Sequence, residues 1–185
     1  DRKLSYAWRT TATLGVLVTA FALDRLTKDW ALGSLSDGTV IPLFPTVRLE
    51  LFFNPGVAFG IGADAGAPLV LGLMVLIAAL VGWIVVRLVR AADLMGTMFL
   101  AIATGGALGN LWDRISRCED GPLSGHVVDF IAVDWFAIFN AADIFTTSGI
   151  ALWALTLVLH DRGETKPQSP TPLSDRPDRL GSTEP

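Results

Sequence analysis

Charge is scarce in this chain, at 17% of 185 residues against 51% hydrophobic. Soluble domains carry roughly a quarter charged residues, so a solvated globular surface is excluded for most of the sequence. Cysteine occurs once, as Cys118, which excludes an internal disulfide and a cysteine-rich metal centre. Of the 2 histidines, His126 stands among scattered carboxylates with no ligand spacing, so it reads as an uncommitted loop residue and no metal is expected. Basic residues are not in excess either: Lys and Arg total 14 against 18 Asp and Glu, and no nucleic-acid partner is expected. There is no internal repeat.

What fills the chain instead is long apolar runs. Segments 68–86, 94–112 and 141–159 contain one ionisable residue between them, Asp143. Each approaches the ~20 residues that cross a hydrocarbon core of ~30 Å. A fourth run starts at Thr10, stays uncharged to Leu23, and continues through Asp24, Arg25, Lys28 and Asp29 to Leu32. Its polar end continues a helical pattern with no small-residue cleavage site, so it is read as a span and not as a signal peptide. The expected fold is a membrane all-α bundle with a small β element. It forms one domain over residues 1–162 with spans at about 10–32, 68–88, 94–112 and 141–160. Residues 163–185, with five prolines and no apolar periodicity, read as a disordered cytoplasmic tail.

Orientation follows from the cations. Arg2, Lys3 and Arg9 precede span 1, Arg87 and Arg90 separate spans 2 and 3, and Arg162 and Lys166 follow span 4. The two longer loops, 33–67 and 113–140, hold only Arg48, Arg114 and Arg117. The positive-inside rule then places both termini in the cytoplasm and the long loops outside. In the first loop, Val47, Leu49, Leu51 and Phe53 alternate with Arg48, Glu50 and Phe52, the period of a strand. Asn54-Pro55-Gly56 is a turn from which Val57-Ala58-Phe59 can return, so a small outer sheet is expected over about 40–62. The second loop, about 113–140, carries Trp135 and Phe136 with Trp112 at its edge and reads as an interfacial flap, flexible at 119–125. In span 3, Gly105 and Gly109 form a GxxxG face for close helix packing.

With this topology the polar residues converge. Asp24 and Lys28 lie in the outer third of span 1, Asn110, Asp113 and Arg114 at the outer end of span 3, and Asn140 and Asp143 at the outer end of span 4. Asn54 and Asp129 belong to the outer loops, and the inner halves of the spans hold almost nothing ionisable. Intramembrane polar residues gathered at one depth are a functional signal. Several also have purely structural readings. Asp24–Lys28 and Arg25–Asp29 have i,i+4 spacing, so span 1 can neutralise its own charges. Asn140 and Asp143 have the spacing of a helix N-cap box. Asp113 faces an unfavourable helix C-terminus that the neighbouring Arg114 can offset, which suits a paired, orienting role. Asp134 beside Trp135 reads as a solvated face. Asp129 and Asp143 remain. Two carboxylates brought to about 3–5 Å share a proton near neutral pH, the arrangement of an aspartic protease; the topology allows them to meet, though their spacing does not require it. The rival reading is a small proton-coupled transporter or channel, which would need polar residues through the inner halves as well.

Five blocks occur in order: Asp24-x-x-x-Lys28; Asn54-Pro55-Gly56-Val57-Ala58-Phe59-Gly60; Gly105-Gly106-Ala107-Leu108-Gly109-Asn110-x-x-Asp113-Arg114; Gly125-His126-Val127-Val128-Asp129-Phe130; and Phe139-Asn140-x-Ala142-Asp143. Together they resemble the bacterial lipoprotein signal peptidase (signal peptidase II) family. The resemblance implies a four-helix, inner-membrane aspartyl endopeptidase acting as a monomer on lipid-modified prolipoproteins among membrane lipids. It would cut just before the diacylglyceryl-bearing cysteine, with its site near the outer face. It implies Asp129 and Asp143 as the catalytic pair, and Asp24, Lys28, Asn54, Gly56, Asn110, Asp113, Arg114 and Asn140 as residues that bind or orient substrate. No metal or organic cofactor is implied. Ile144 departs from the family, which often carries Ser there. The 115–124 insert is longer than in the shortest members, and the Asp129–Asn140 segment is short.

Overall fold

A computed structural model describes residues 2–56, 66–118, 121 and 123–164, with side chains from residue 5 to residue 159. In chain order the elements are α1 (Arg2–Leu35), β1 (Ile41–Phe44), β2 (Val47–Asn54), α2 (Ala67–Val89), α3 (Leu94–Ser116), β3 (Val127–Val133) and α4 (Ala141–Glu164). By length and composition α2, α3 and the Ala141–Leu159 part of α4 are each apolar enough to cross a membrane. At 34 residues α1 has ample length. Asp24, Arg25, Lys28 and Asp29 lie within about two turns and interrupt its apolar run.

The hub is α3, which packs against each of the other three helices. On one side Val70 and Ile77 of α2 meet Ala107 and Leu111, and further along Ile84 and Leu88 meet Leu100 and Ala101. Glycines set the approach of the other two helices. A Cβ on Gly105 would stand 2.5 Å from the Leu17 carbonyl oxygen and 2.8 Å from the Ala20 Cβ; one on Gly106 would stand 2.5 Å from the Ala142 carbonyl oxygen. One Gly-Gly pair therefore admits α1 and α4 on adjacent faces of α3, and the expected Gly105–Gly109 face does pack against α1. The outer faces of α2 and α4 stay apolar, with Val75, Leu76, Leu155 and Leu159 exposed. Such continuous apolar surface suits hydrocarbon, where it costs nothing.

The sheet has order β1-β2-β3 and is antiparallel throughout. It rests on the end of α1, where Ala31 and Leu35 bury against Phe130, Ile41, Leu49 and Ile131. The expected strand over Val47–Phe53 is present, but its partners correct the expected 40–62 sheet. β3 comes from the second loop; the Val57-Ala58-Phe59 return lies outside the described residues. The 113–140 flap is likewise corrected, since 113–116 extend α3 and 127–133 form a strand. β3 reads VVDFIAV and its first four residues are all buried. Covered on both faces, it lacks the polar–apolar alternation that reveals a half-exposed strand. At the far end α4 runs to Glu164, so 163–164 belong to the helix, and the rest of the expected tail lies outside the described residues.

Candidate active site

On α1 the residues Thr13, Ala20, Asp24, Lys28, Ala31 and Leu35 are all buried. Their spacing of three, four or seven residues makes one stripe facing the bundle, and Asp24 and Lys28 sit on it. Arg25 and Asp29 fall one step off the stripe and are partly exposed or exposed. The Lys28 ammonium, with its side chain fully buried, pairs with Asp24 Oδ2 and Asp113 Oδ2 at 2.9 Å each. It also donates to Asn110 Oδ1 at 2.7 Å. An ammonium has three N–H donors, and three acceptors meet it. Asp24 Oδ1 accepts the Ala142 N–H at 3.0 Å, so a carboxylate from α1 caps the N-terminus of α4. α1 thus does not merely neutralise its own charges. Lys28 and Arg25 both reach Asp113 on α3. Asp113 also pairs with Arg117 at 3.2 Å and accepts the Val128 N–H of β3 at 3.3 Å.

Sheet register supplies the next two residues. Asn54 lies opposite Val127 and Phe52 opposite Asp129. Asn54 and Asp129 are therefore diagonal neighbours on one face, and Asn54 Nδ2 donates to Asp129 Oδ2 at 2.9 Å. The Asn54 amide is held in that sense because its Oδ1 accepts the Gly56 N–H at 2.9 Å. Arg114 then holds the turn from α3 by donating to the Pro55 and Gly56 carbonyls. Arg114 thus clamps the end of β2, and its charge also acts on Asp113. After β3 the chain folds back, and Phe139 exchanges backbone bonds with Ile131. That return delivers Asn140 beside Asp129, where its Nδ2 donates to Asp129 Oδ1 at 2.6 Å and to Asn110 Oδ1 at 3.1 Å.

The Asn140–Asp143 cap box is also real. The Asn140 N–H reaches Asp143 Oδ2 and the Asp143 N–H reaches Asn140 Oδ1, both at 3.1 Å. Asn110 Nδ2 donates to the remaining oxygen, Asp143 Oδ1, at 2.8 Å. Each of the four carboxyl oxygens of Asp129 and Asp143 thus receives an N–H, and Asn140 touches both residues. The structural and chemical readings of Asn140 hold together, because the cap that starts α4 also fixes Asp143. Both carboxylates line a cavity of about 580 Å³ with Asn54, Gly56, Asn110 and Arg114. Burial pushes the Asp129 carboxyl from 3.8 up to about 6; hydrogen bonds from Asn54 and Asn140 oppose this, and the Asp143 charge adds to it.

All ten expected site residues are connected through this one network, with Asp24, Lys28, Asp113 and Asn140 behind the cavity and not on its wall. Asp129, expected in an outer loop, sits on a strand. Asp134 is exposed as expected, though it also accepts from Arg48. His126 is exposed, and among the described residues no group of three or more His, Cys, Asp or Glu is placed to hold a metal ion. Sequence reasoning missed Thr146, Thr147 and Ser148, whose run of hydroxyls lines the cavity just past Asp143. It also missed Phe136–Phe139 as a cavity wall. The first group had a signal, three consecutive hydroxyls in an otherwise apolar helix.

The chain is similar to proteins of known kind. A lipoprotein signal peptidase of Bifidobacterium adolescentis is 40% identical over 131 residues, covering 70% of this chain and 67% of that one. The Mycobacterium avium enzyme of the same name is 40% identical over 142 residues, 75% of this chain and 74% of its own. That of Ectopseudomonas mendocina is 38% identical over 162 residues, 80% and 88%. In fold, the chain is similar to a bacterial membrane enzyme solved by the in meso method at 2.3 Å, with TM-score 0.66, 23% identity and coverage of 87% of this chain and 95% of that one. A second such structure, at 1.9 Å, gives TM-score 0.63 with 24% identity over 82% and 94%. The family model described as signal peptidase (SPase) II matches residues 16–159, a stretch holding all ten residues of the network, and the chain belongs to that family.

Proposed function

We propose that this protein is an aspartyl endopeptidase that removes the signal peptide from diacylglyceryl-modified prolipoproteins, cutting immediately before the lipid-bearing cysteine. Membership of the signal peptidase II family carries the lipoprotein-processing role. The observation that carries the aspartyl chemistry is the pair Asp129 and Asp143, in one cavity with every carboxyl oxygen held by an N–H. The relatives named above lend no support to a transporter.

Burial acts on both carboxyls, and it is their backbone positions that distinguish their tasks. Asp143 lies in the first turn of α4, where the helix dipole favours an anion. Asp129 lies on a strand, where burial favours the protonated form up to about 6. In this mechanism Asp143 takes a proton from water as the oxygen attacks the scissile carbonyl, and Asp129 gives its proton to the carbonyl oxygen. Collapse of the tetrahedral intermediate breaks the C–N bond, the amine leaves with a proton from Asp143, and Asp129 regains its own. The apolar part of the substrate fits the cavity's membrane-helix wall of Leu73, Ala107, Ile144 and Ala151. The end of β2, clamped by Arg114, would hold the peptide.

The placement is a single four-helix domain in the bacterial inner membrane, with α1 as the fourth span, termini inside and the sheet and cavity at the outer face. Burial of Asp24 and Lys28 against each other and against α3 and α4 supports α1 as a span. Arg9 lies 15 residues, or about 22 Å, along α1 from Asp24 and bonds the Ala92 carbonyl between α2 and α3, beside Arg87 and Arg90. Cations at the end opposite the cavity support the inside assignment. One chain supplies an N–H to each of the four carboxyl oxygens, so the pair is complete within a monomer, and action as a monomer is part of the proposal. The test is cleavage of a lipidated precursor by purified Asp129→Asn and Asp143→Asn. Each is expected to lose activity by about 10⁴-fold or more while remaining folded, and substantial turnover by either sinks the assignment.

A further inference from the structure

A buried cation that the two-carboxylate mechanism does not use lies one residue behind them. We infer that Lys28 is a positioning residue for the Asp129–Asp143 pair: through Asn110 it turns the two side-chain amides of Asn110 and Asn140 so that their N–H groups face the carboxylates. The inference rests on the reading of Asp129 and Asp143 as the reacting pair.

The argument is one of donor and acceptor counting. Asn110 has an oxygen end and an NH₂ end, and only its surroundings decide which way it points. An ammonium only donates, so the Asn110 oxygen must face Lys28, as it does at 2.7 Å. The NH₂ end is thereby aimed at Asp143 Oδ1, at 2.8 Å. The same oxygen accepts from Asn140 Nδ2 at 3.1 Å, and that nitrogen also serves Asp129 Oδ1 at 2.6 Å. With Asn140 Oδ1 held by the Asp143 N–H, the second amide has no alternative orientation. Donors at the two carboxylates favour keeping one of them ionised, and the amides carry the field of the cation to them.

Other charges face this pair. From α1 come Asp24, behind Ala142, and Lys28. Arg114 and Asp113 come from α3, with Arg25 and Arg117 on Asp113. β3 and α4 contribute the pair themselves. Asp24→Asn serves as the background, so that removing Lys28 leaves no buried Asp24 carboxylate without its partner.

The experiment compares Asp24→Asn, Asp24→Asn/Lys28→Met and Asp24→Asn/Lys28→Arg, purified in detergent micelles. The readout is the pH profile of kcat/KM on a lipidated precursor peptide, with a thermal melt for each protein. The ascending limb reports ionisation of the base. It is expected to move to higher pH by about 1 unit in the Met variant relative to Asp24→Asn, and to return toward it in the Arg variant. A Met variant that folds, loses activity and keeps its limb has lost only structure, and this overturns the proposal. If the Met variant does not fold, Asn110→Ser decides alone. It leaves Lys28 between Asp24 and Asp113 and cuts the link to Asp143, so an unmoved limb there also overturns the proposal. Failure of the two-carboxylate reading is distinguished separately, by turnover in Asp143→Asn.

Discussion

Replacing Gly105 by alanine tests whether close helix approach, and not glycine's flexibility, is what the GxxxG face supplies. The new Cβ would stand 2.5 Å from the Leu17 carbonyl oxygen, 2.8 Å from the Ala20 Cβ and 3.2 Å from the Phe21 nitrogen. A carbon–oxygen contact settles at about 3.3–3.6 Å, so α1 must withdraw by about 1 Å. The obstacles are mostly backbone and Cβ atoms of a helix, which cannot rotate aside. Overpacking of this kind costs about 1–3 kcal/mol, while alanine regains about 0.5–1 kcal/mol of helix propensity. The expected net loss is therefore about 1–2 kcal/mol. Gly15 and Gly82 have nothing within 4 Å of a built Cβ, and alanine there is expected to be neutral or stabilising. Activity should suffer more than stability, because the displaced helix carries Asp24 and Lys28 one to two turns beyond the clash. A misplacement near 1 Å costs about 100-fold in rate. Equilibrium unfolding in micelles and precursor cleavage, measured on all three variants, decide the matter. A Gly105→Ala protein as stable and active as Gly15→Ala would refute the packing argument.

The Asp129 carboxyl sets a pH window. Its folded value of about 6 lies above 3.8, so the native state holds the proton more tightly than the unfolded chain. The associated stability is full below 3.8 and is lost as pH rises through about 6, amounting to about 3 kcal/mol. Wild type should therefore lose more stability than Asp129→Asn between pH 4 and 7.5 in unfolding titrations, and equal slopes would contradict this. Asp113→Leu takes one acceptor from each of Lys28, Arg25 and Arg117, leaving Lys28 to Asp24 and Asn110 and Arg25 to Asp29, and it leaves the Val128 N–H unpaired; a loss of about 3 kcal/mol is expected by chemical unfolding. Arg114→Ala frees the Pro55 and Gly56 carbonyls and so loosens Asn54. A fall of about 10- to 100-fold in kcat/KM is expected at nearly unchanged thermal stability, and steady-state kinetics with a melt check both.

Much of the fold was legible because apolar length is a local property. The runs at 68–86 and 94–112 needed no tertiary knowledge to be read as helices, and α2 and α3 extend them by only a few residues. β3 was not legible: a strand buried on both faces looks like any short apolar run, and its partner β2 lies some 80 residues earlier. Among the site residues, Asp24 and Lys28 stood out as charges at the end of a long apolar run.

By itself the sequence determined that this is a membrane protein, which residue types could do chemistry, and at which end of the spans they lie. Those facts follow from composition and order along one dimension. Only the tertiary structure decided which acceptor each donor meets. Arg25 could pair with Asp29 four residues on, yet it also reaches Asp113 on another helix. Arg114 adjoins Asp113 in sequence but serves Pro55 and Gly56. Adjacent residues on a helix point about 100° apart, so sequence neighbours seldom share partners, whereas glycine-thin helix contacts bring distant ones within 3 Å. The Asp129 and Asp143 oxygens receive their N–H groups from β2, α3 and the segment that enters α4, a convergence that only close packing of those elements creates.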